Sequence, residues 1–284
     1  MKITRRHLTT IGVAILATTL SYAINYHVNL GPLNGGKPAG AVVAGSTVGI
    51  ISALLFKDYA VAGYIGAFAG MSATTVIPSI LYAPIFGFMV GIFTILMARL
   101  FVGYGGKAGT TCFCALDFTL IFFILLGTVG LTQHNINLYF RPLTSNDLEP
   151  TWLIIAIVAG VWGMMGTILL REKVLQKHKA PNEAVLGSAV IALVSGLLLP
   201  WIVPSLASKI AAVVASGTYA GMVSRKVVSS DTYLLLSGVV VGLLNVLLAS
   251  VFIGVGGKLG FIGLLSVSLF HYLEHEQTKS EKNV

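Results

Sequence analysis

Two stretches of this chain have the composition of an anion cradle. FVGYGGKAG at 101–109 and FIGVGGKLG at 252–260 share the pattern G-x-G-G-K-x-G, with Lys107 and Lys258 at the same place in each. Four glycines in seven positions permit positive φ and close backbone approach. At the start of a following helix, the N–H groups of Gly105, Gly106, Gly256 and Gly257 can hold a negative group, and the lysine adds charge. The competing reading is a tight interhelical turn whose lysine ammonium reaches out to the surface. The G-x-x-x-x-G-K-[ST] spacing of a nucleotide loop is absent, which argues against an ATPase.

Asp117 is the second candidate. It is the one carboxylate set well inside an apolar run, CFCALDFTLIFFILLG, and shares a helical stripe with Thr110 and Cys114. A charge in such a place is expensive and usually marks a pathway or a paired group. It could carry a proton, coordinate a cation or stay neutral through a raised pKa. Thr94 and Asn245 lie inside apolar runs on faces otherwise made of Gly and Ala, and could touch a substrate. Cys112 and Cys114 are too close for ordinary bridge geometry and read as small packing residues. His134 and His271 have no ligand cluster around them, so no metal and no cofactor is expected. Nothing resembles a paired acid and base, a nucleophile triad or an H-E-x-x-H helix, so the chain is not read as an enzyme.

The elements that must position these residues follow from composition and self-similarity. Hydrophobic residues make up 56% of the chain and charged residues 10%, against roughly 25% charged in an ordinary soluble domain. Several runs reach the roughly 20 apolar residues that cross a hydrocarbon core. Shifting the chain by 151 residues aligns Gly66–Gly109 on Gly217–Gly260 with 18 of 44 positions identical, among them Met71/Met222, Tyr82/Tyr233 and both glycine turns. This pattern reads as a duplicated unit. Runs near 9–27, 38–56, 59–76, 80–101 and 109–128 in the first half answer to runs near 151–170, 184–203, 207–223, 231–253 and 259–273 in the second. The expected fold is all-α and membrane-integral, with about ten transmembrane helices as two five-helix repeats of inverted topology. Its expected parts are a first repeat over 1–130, an outer connection over 131–150, an inverted repeat over 151–273 and a polar tail over 274–284.

With the N-terminus inside, fourteen of the eighteen Lys and Arg fall on inner segments, and four, Lys37, Arg141, Lys209 and Lys258, on outer ones. That bias fits a multi-pass protein of the plasma membrane or bacterial inner membrane with both termini cytoplasmic. The net charge of +8 then reports topology, and no nucleic-acid partner is expected. Gly66, Gly70, Gly217 and Gly221, with Gly87, Gly91, Gly238 and Gly242, fall at spacings that suit close helix packing. An odd number of spans per repeat suggests transport of a small solute or ion by alternating access, with proton or sodium coupling at Asp117. The alternatives are a passive channel and a non-transporting membrane scaffold. The expected partners are the lipid bilayer and the solute, and a homo-oligomer is compatible with the pattern.

Overall fold

The computed structural model describes residues 4–29, 40–125, 143–145 and 148–282. Most of the expected connection over 131–150, with His134 and Arg141, lies outside them, as does Lys37. The described chain forms ten α-helices. They are α1 (Arg5–His27), α2 (Ala41–Leu55), α3 (Ala60–Gly70), α4 (Ala83–Leu96) and α5 (Lys107–Leu125). They continue with α6 (Pro150–Leu169), α7 (Glu183–Ile202), α8 (Ala207–Ala220), α9 (Asp231–Leu247) and α10 (Lys258–Lys282).

Local sequence explains most of the boundaries. Thr4 caps α1, accepting from the His7 N–H while the His7 ring accepts from the Thr4 N–H. Proline in the first turn opens α4 and α6, where its missing N–H costs nothing. Ser230 caps α9 through the Tyr233 N–H. Beyond Leu169 the helix widens into a π turn, Leu170–Leu175, so the polar run that begins at Arg171 starts as helix. The expected tail is also helical, since α10 runs on to Lys282.

The expectation of ten membrane-crossing helices is overturned. Three described helices are long and apolar enough to cross a membrane: Arg5–His27, Pro150–Leu175 and Glu183–Ile202. The helices α2, α3, α4, α8 and α9 have 15, 11, 14, 14 and 17 residues. At about 1.5 Å per residue they extend roughly 16–26 Å, short of a hydrocarbon core about 30 Å thick. The long apolar runs suggest single spans, but several divide into a short helix and irregular turns, as at 71–82 after α3. The ten-span inverted-repeat transporter fold falls with this count. So do the multi-pass inner-membrane placement, the cytoplasmic termini and the lipid-bilayer partnership inferred from it.

The helices are instead held by dense packing between segments distant in sequence. α1 lies against α3 and α4, and α6 lies against α8 and α9. α2 and α7 cross each other beside α3 and α8, and α5 meets α10. Some large apolar side chains remain outside, with Ile154, Val158 and Trp162 in one row along α6.

Glycine sets the closest of these approaches. A methyl on Gly66 would lie 2.5 Å from the Ala14 carbonyl oxygen, and one on Gly70 2.5 Å from that of Thr18. On α4, Gly87 and Gly91 meet the Ile15 and Ile11 Cα atoms at 2.7 Å by the same measure. Gly217 of α8 and Gly221 just after it fit against α6, as do Gly238 and Gly242 of α9. A methyl on Gly242 would sit 2.5 Å from the Ile157 Cα and from the Ala156 carbonyl oxygen, and neither backbone atom can move without moving α6.

Gly242→Ala should therefore destabilise the chain by about 1–3 kcal/mol, as overpacking does. Gly12→Ala, with open space around it, should be neutral or stabilise by up to about 1 kcal/mol through helix propensity. Thermal or denaturant unfolding of the two variants checks this. Equal effects would mean that the glycine contacts do not set the α6–α9 spacing.

Candidate functional site

The two glycine turns lie across one another at the middle of the molecule. The Ala73 N–H donates to the Gly254 carbonyl at 2.8 Å, and 151 residues on the Ser224 N–H donates to the Gly103 carbonyl at 2.8 Å. Gly105 lies against the Ala220 carbonyl, and Gly256 against that of Phe68, with no room for a Cβ at either. Gly106 and Gly257 have φ of +79° and +87°, values only glycine adopts freely. α5 and α10 then cross where Gly109 faces Gly260, each so close that a Cβ on one would stand 2.5 Å from the Cα of the other.

The lysines of the two turns have a common task. The Lys107 ammonium donates to the Ala98 carbonyl at 2.8 Å, and the Lys258 ammonium to the Leu248 carbonyl at 2.6 Å. Each lies just beyond the end of the preceding helix, where carbonyls lack intrahelical partners and the helix dipole is negative. Thr94 and Asn245 are also matched, and neither bonds into a shared polar centre. The Thr94 hydroxyl donates to Val90 and the Asn245 amide to Val241, each at 2.8 Å within its own helix.

Asp117 stands half-buried on α5. Burial pushes its carboxyl up to about 7. Among the described residues no group of three or more His, Cys, Asp and Glu could hold a metal ion. The role of ion-coupling residue for Asp117 is corrected, because no such group surrounds it and the ten-span architecture it was to serve is not present. Alternating-access transport, a passive channel and a membrane scaffold lose their basis with that architecture. The transported solute or ion, its proton or sodium coupling and a transporter oligomer go with them.

One cavity of about 890 Å³ lies beside the second turn. It is walled by the start of α2, the ends of α3 and α7, the first half of α8 and the segment Ile253–Leu259. Its deepest aromatic residues are Phe68 and Tyr219, 1% and 2% exposed, with ring centres 4.5 Å apart. Trp201, 63% exposed, stands at the mouth with Pro204 and Ser208. Beneath the floor a buried hydroxyl chain ties three helices together: Tyr64 and Ser188 share a hydrogen bond at 3.0 Å, and Ser188 donates to Thr218 at 3.1 Å. Of the predicted site residues, Gly256, Gly257 and Lys258 line this cavity, whereas Asp117, Thr94, Asn245, Lys107, Gly105 and Gly106 do not.

Arg171 was missed in the sequence because it begins a run of basic residues that reads as a solvated loop. It is 5% exposed and donates to the carbonyls of Gly221 at 3.2 Å and Val223 at 2.7 Å, closing the end of α8. Asn25 and Tyr26 of α1 do the same for α3, donating to Gly70 and Ser72. Glu172 joins Arg171 to Arg225, accepting from the Arg225 Nε at 2.7 Å, and Arg225 reaches Asp231 at 2.6 Å. The only signal in the sequence was an acid, Glu172, inside the basic run. Comparison with known protein families, curated proteins and solved structures gave no match.

The Arg225 guanidinium holds the Glu172 carboxyl down at about 2, against an ordinary 4.5, although burial opposes this. Because the folded-state value is depressed, the stabilisation is complete above about pH 4.5 and is lost as pH falls towards 2. Glu172→Gln should lower Tm at pH 7 by roughly 2–4 °C, the shift that about 1 kcal/mol makes in a chain of this size. The gap from the parent should close as pH drops through that window. A gap independent of pH in melting curves would remove Glu172 from this role.

Proposed function

We propose that this chain is a non-enzymatic binding protein for a small, largely apolar molecule. The observation that carries this reading is the cavity: about 890 Å³, floored by the buried rings of Phe68 and Tyr219 and walled by alanine, valine, proline and methionine. Ligand sites commonly occupy roughly 300–1,000 Å³ and combine an apolar lining with a few polar groups. Here the polar groups are few: Ser208, Lys258 and the backbone of Gly256 and Gly257. Five helices contribute to the walls, so the site depends on the tertiary fold and is not a local groove.

The role of each wall follows from its chemistry. Phe68 and Tyr219 form an aromatic floor for an aromatic or aliphatic body, and Trp201 offers a further ring at the mouth. Ala211 and Ala212 leave the space that a larger side chain would fill. The deeper hydroxyl chain through Tyr64, Ser188 and Thr218 fixes the floor residues on α3 and α8 relative to α7.

Ala212→Phe should fill the cavity from a half-buried position. Titration of the purified protein with the neutral fluorophore N-phenyl-1-naphthylamine should show saturable binding that weakens at least tenfold in the variant, with the thermal midpoint little changed. Binding that is equally strong in both proteins would place the probe elsewhere and defeat this reading.

A further inference from the structure

One sulfur sits in the wall of this cavity. Met71 follows directly on the last residue of α3, is half-buried and lines the chamber with Phe68. No other described lining residue carries sulfur. The thioether is held from two further helices. Gly45 of α2 lies so close to the Met71 Sδ that no Cβ would fit between them. The Tyr219 hydroxyl donates to the same sulfur at 3.8 Å, from the buried ring that forms the other half of the floor. A thioether is a weak acceptor, so this donor would bond more strongly to an oxygen placed there. Met222, the counterpart of Met71 151 residues on, is also half-buried but does not line the cavity.

We propose that Met71 is a redox switch for this site: a peroxide entering the empty chamber converts it to the sulfoxide, and the oxidised site no longer holds the apolar ligand. The proposal rests on the binding reading above and adds its regulation. A lone pair on Sδ attacks one oxygen of hydrogen peroxide. The S–O bond forms, the O–O bond breaks, and the departing hydroxide takes the proton of the transferred hydroxyl and leaves as water. The thioether is oxidised by two electrons and the peroxide reduced by two. Hydrogen peroxide is little larger than water, and a cavity of about 890 Å³ admits it readily. The product is polar where the wall was apolar. Gly45 closes one side of the sulfur, so the new oxygen has the cavity and the Tyr219 hydroxyl for neighbours. There it can accept from Tyr219 in an O–H···O bond. An oxygen held in the floor takes space that an apolar body would fill, and covering it with such a body costs desolvation. A methionine sulfoxide reductase reverses the step and restores the site.

Affinity for N-phenyl-1-naphthylamine is measured by fluorescence before and after treatment with hydrogen peroxide and desalting, and peptide mass spectrometry locates the oxidised residues. The treated parent should carry an added oxygen on Met71 and bind about tenfold more weakly. Methionine sulfoxide reductase with dithiothreitol should reverse both changes. In Met71→Leu, a volume-conserving substitution, treated and untreated affinities should agree, whatever their common level. Met222→Leu should lose affinity on treatment as the parent does. Unchanged affinity in a parent whose Met71 is oxidised overturns the switch and leaves the cavity reading standing. A Met71 that stays a thioether under this treatment overturns it as well, and neither result needs a variant to fold. An equal loss of affinity in treated Met71→Leu would show general oxidative damage and would also overturn it. Absence of saturable binding in the untreated parent defeats the binding reading itself, and the switch with it.

Discussion

The structure depends on two glycine turns that must occupy nearly the same space. Each turn leaves the end of one helix, reverses and starts another, so its backbone polar groups have no partners within a helix. They find them across the molecule, Ala73 with Gly254 and Ser224 with Gly103. An unpaired buried amide would cost about twice what a formed hydrogen bond contributes. The pairing brings the strands of backbone so close that Gly105, Gly109, Gly256 and Gly260 admit no Cβ. Glycine is required here for space, and at Gly103, Gly106, Gly254 and Gly257 for positive φ as well.

From that crossing the rest is built outward. It fixes the start of α5 and α10, which places Lys107 and Lys258 under the frayed ends of α4 and α9. It also seats the ends of α3 and α8, whose last carbonyls are closed by Asn25 and Tyr26 on one side and by the single guanidinium of Arg171 on the other. Function is to be sought where matched positions differ. Phe68 answers to Tyr219. The cavity lies on the second turn's side, with an apolar floor.

Much of this scheme was legible in the residues, but not its scale. The glycine turns stood out because seven-residue patterns with a lysine at one place do not recur by composition alone. Their use could not be read, since a pattern does not say which backbone a glycine approaches. The helix count was recoverable from apolar runs, whereas helix length was not: AVAGYIGAFAGMSATTVI carries no charged residue, yet its helix stops at Gly70. This error turned short packed helices into membrane spans and led on to transport. Asp117 was conspicuous as an isolated acid, but its half-buried place on α5 was not legible. Arg171 was hidden by the opposite effect, a buried charge at the head of a run of exposed ones. The cavity was beyond reach, because its walls come from five helices spread over more than two hundred residues.

Amide hydrogen exchange tests the crossing most directly. Ala73, Gly106 and Ser224 lie in turns, outside any helix, and such amides would ordinarily exchange quickly. If their N–H groups donate across the molecule, they should be among the slowest to exchange, released only when the whole chain unfolds. Exchange of these three amides at the rate of exposed loops, with the helices still protected, would contradict the interlocked turns on which the account stands.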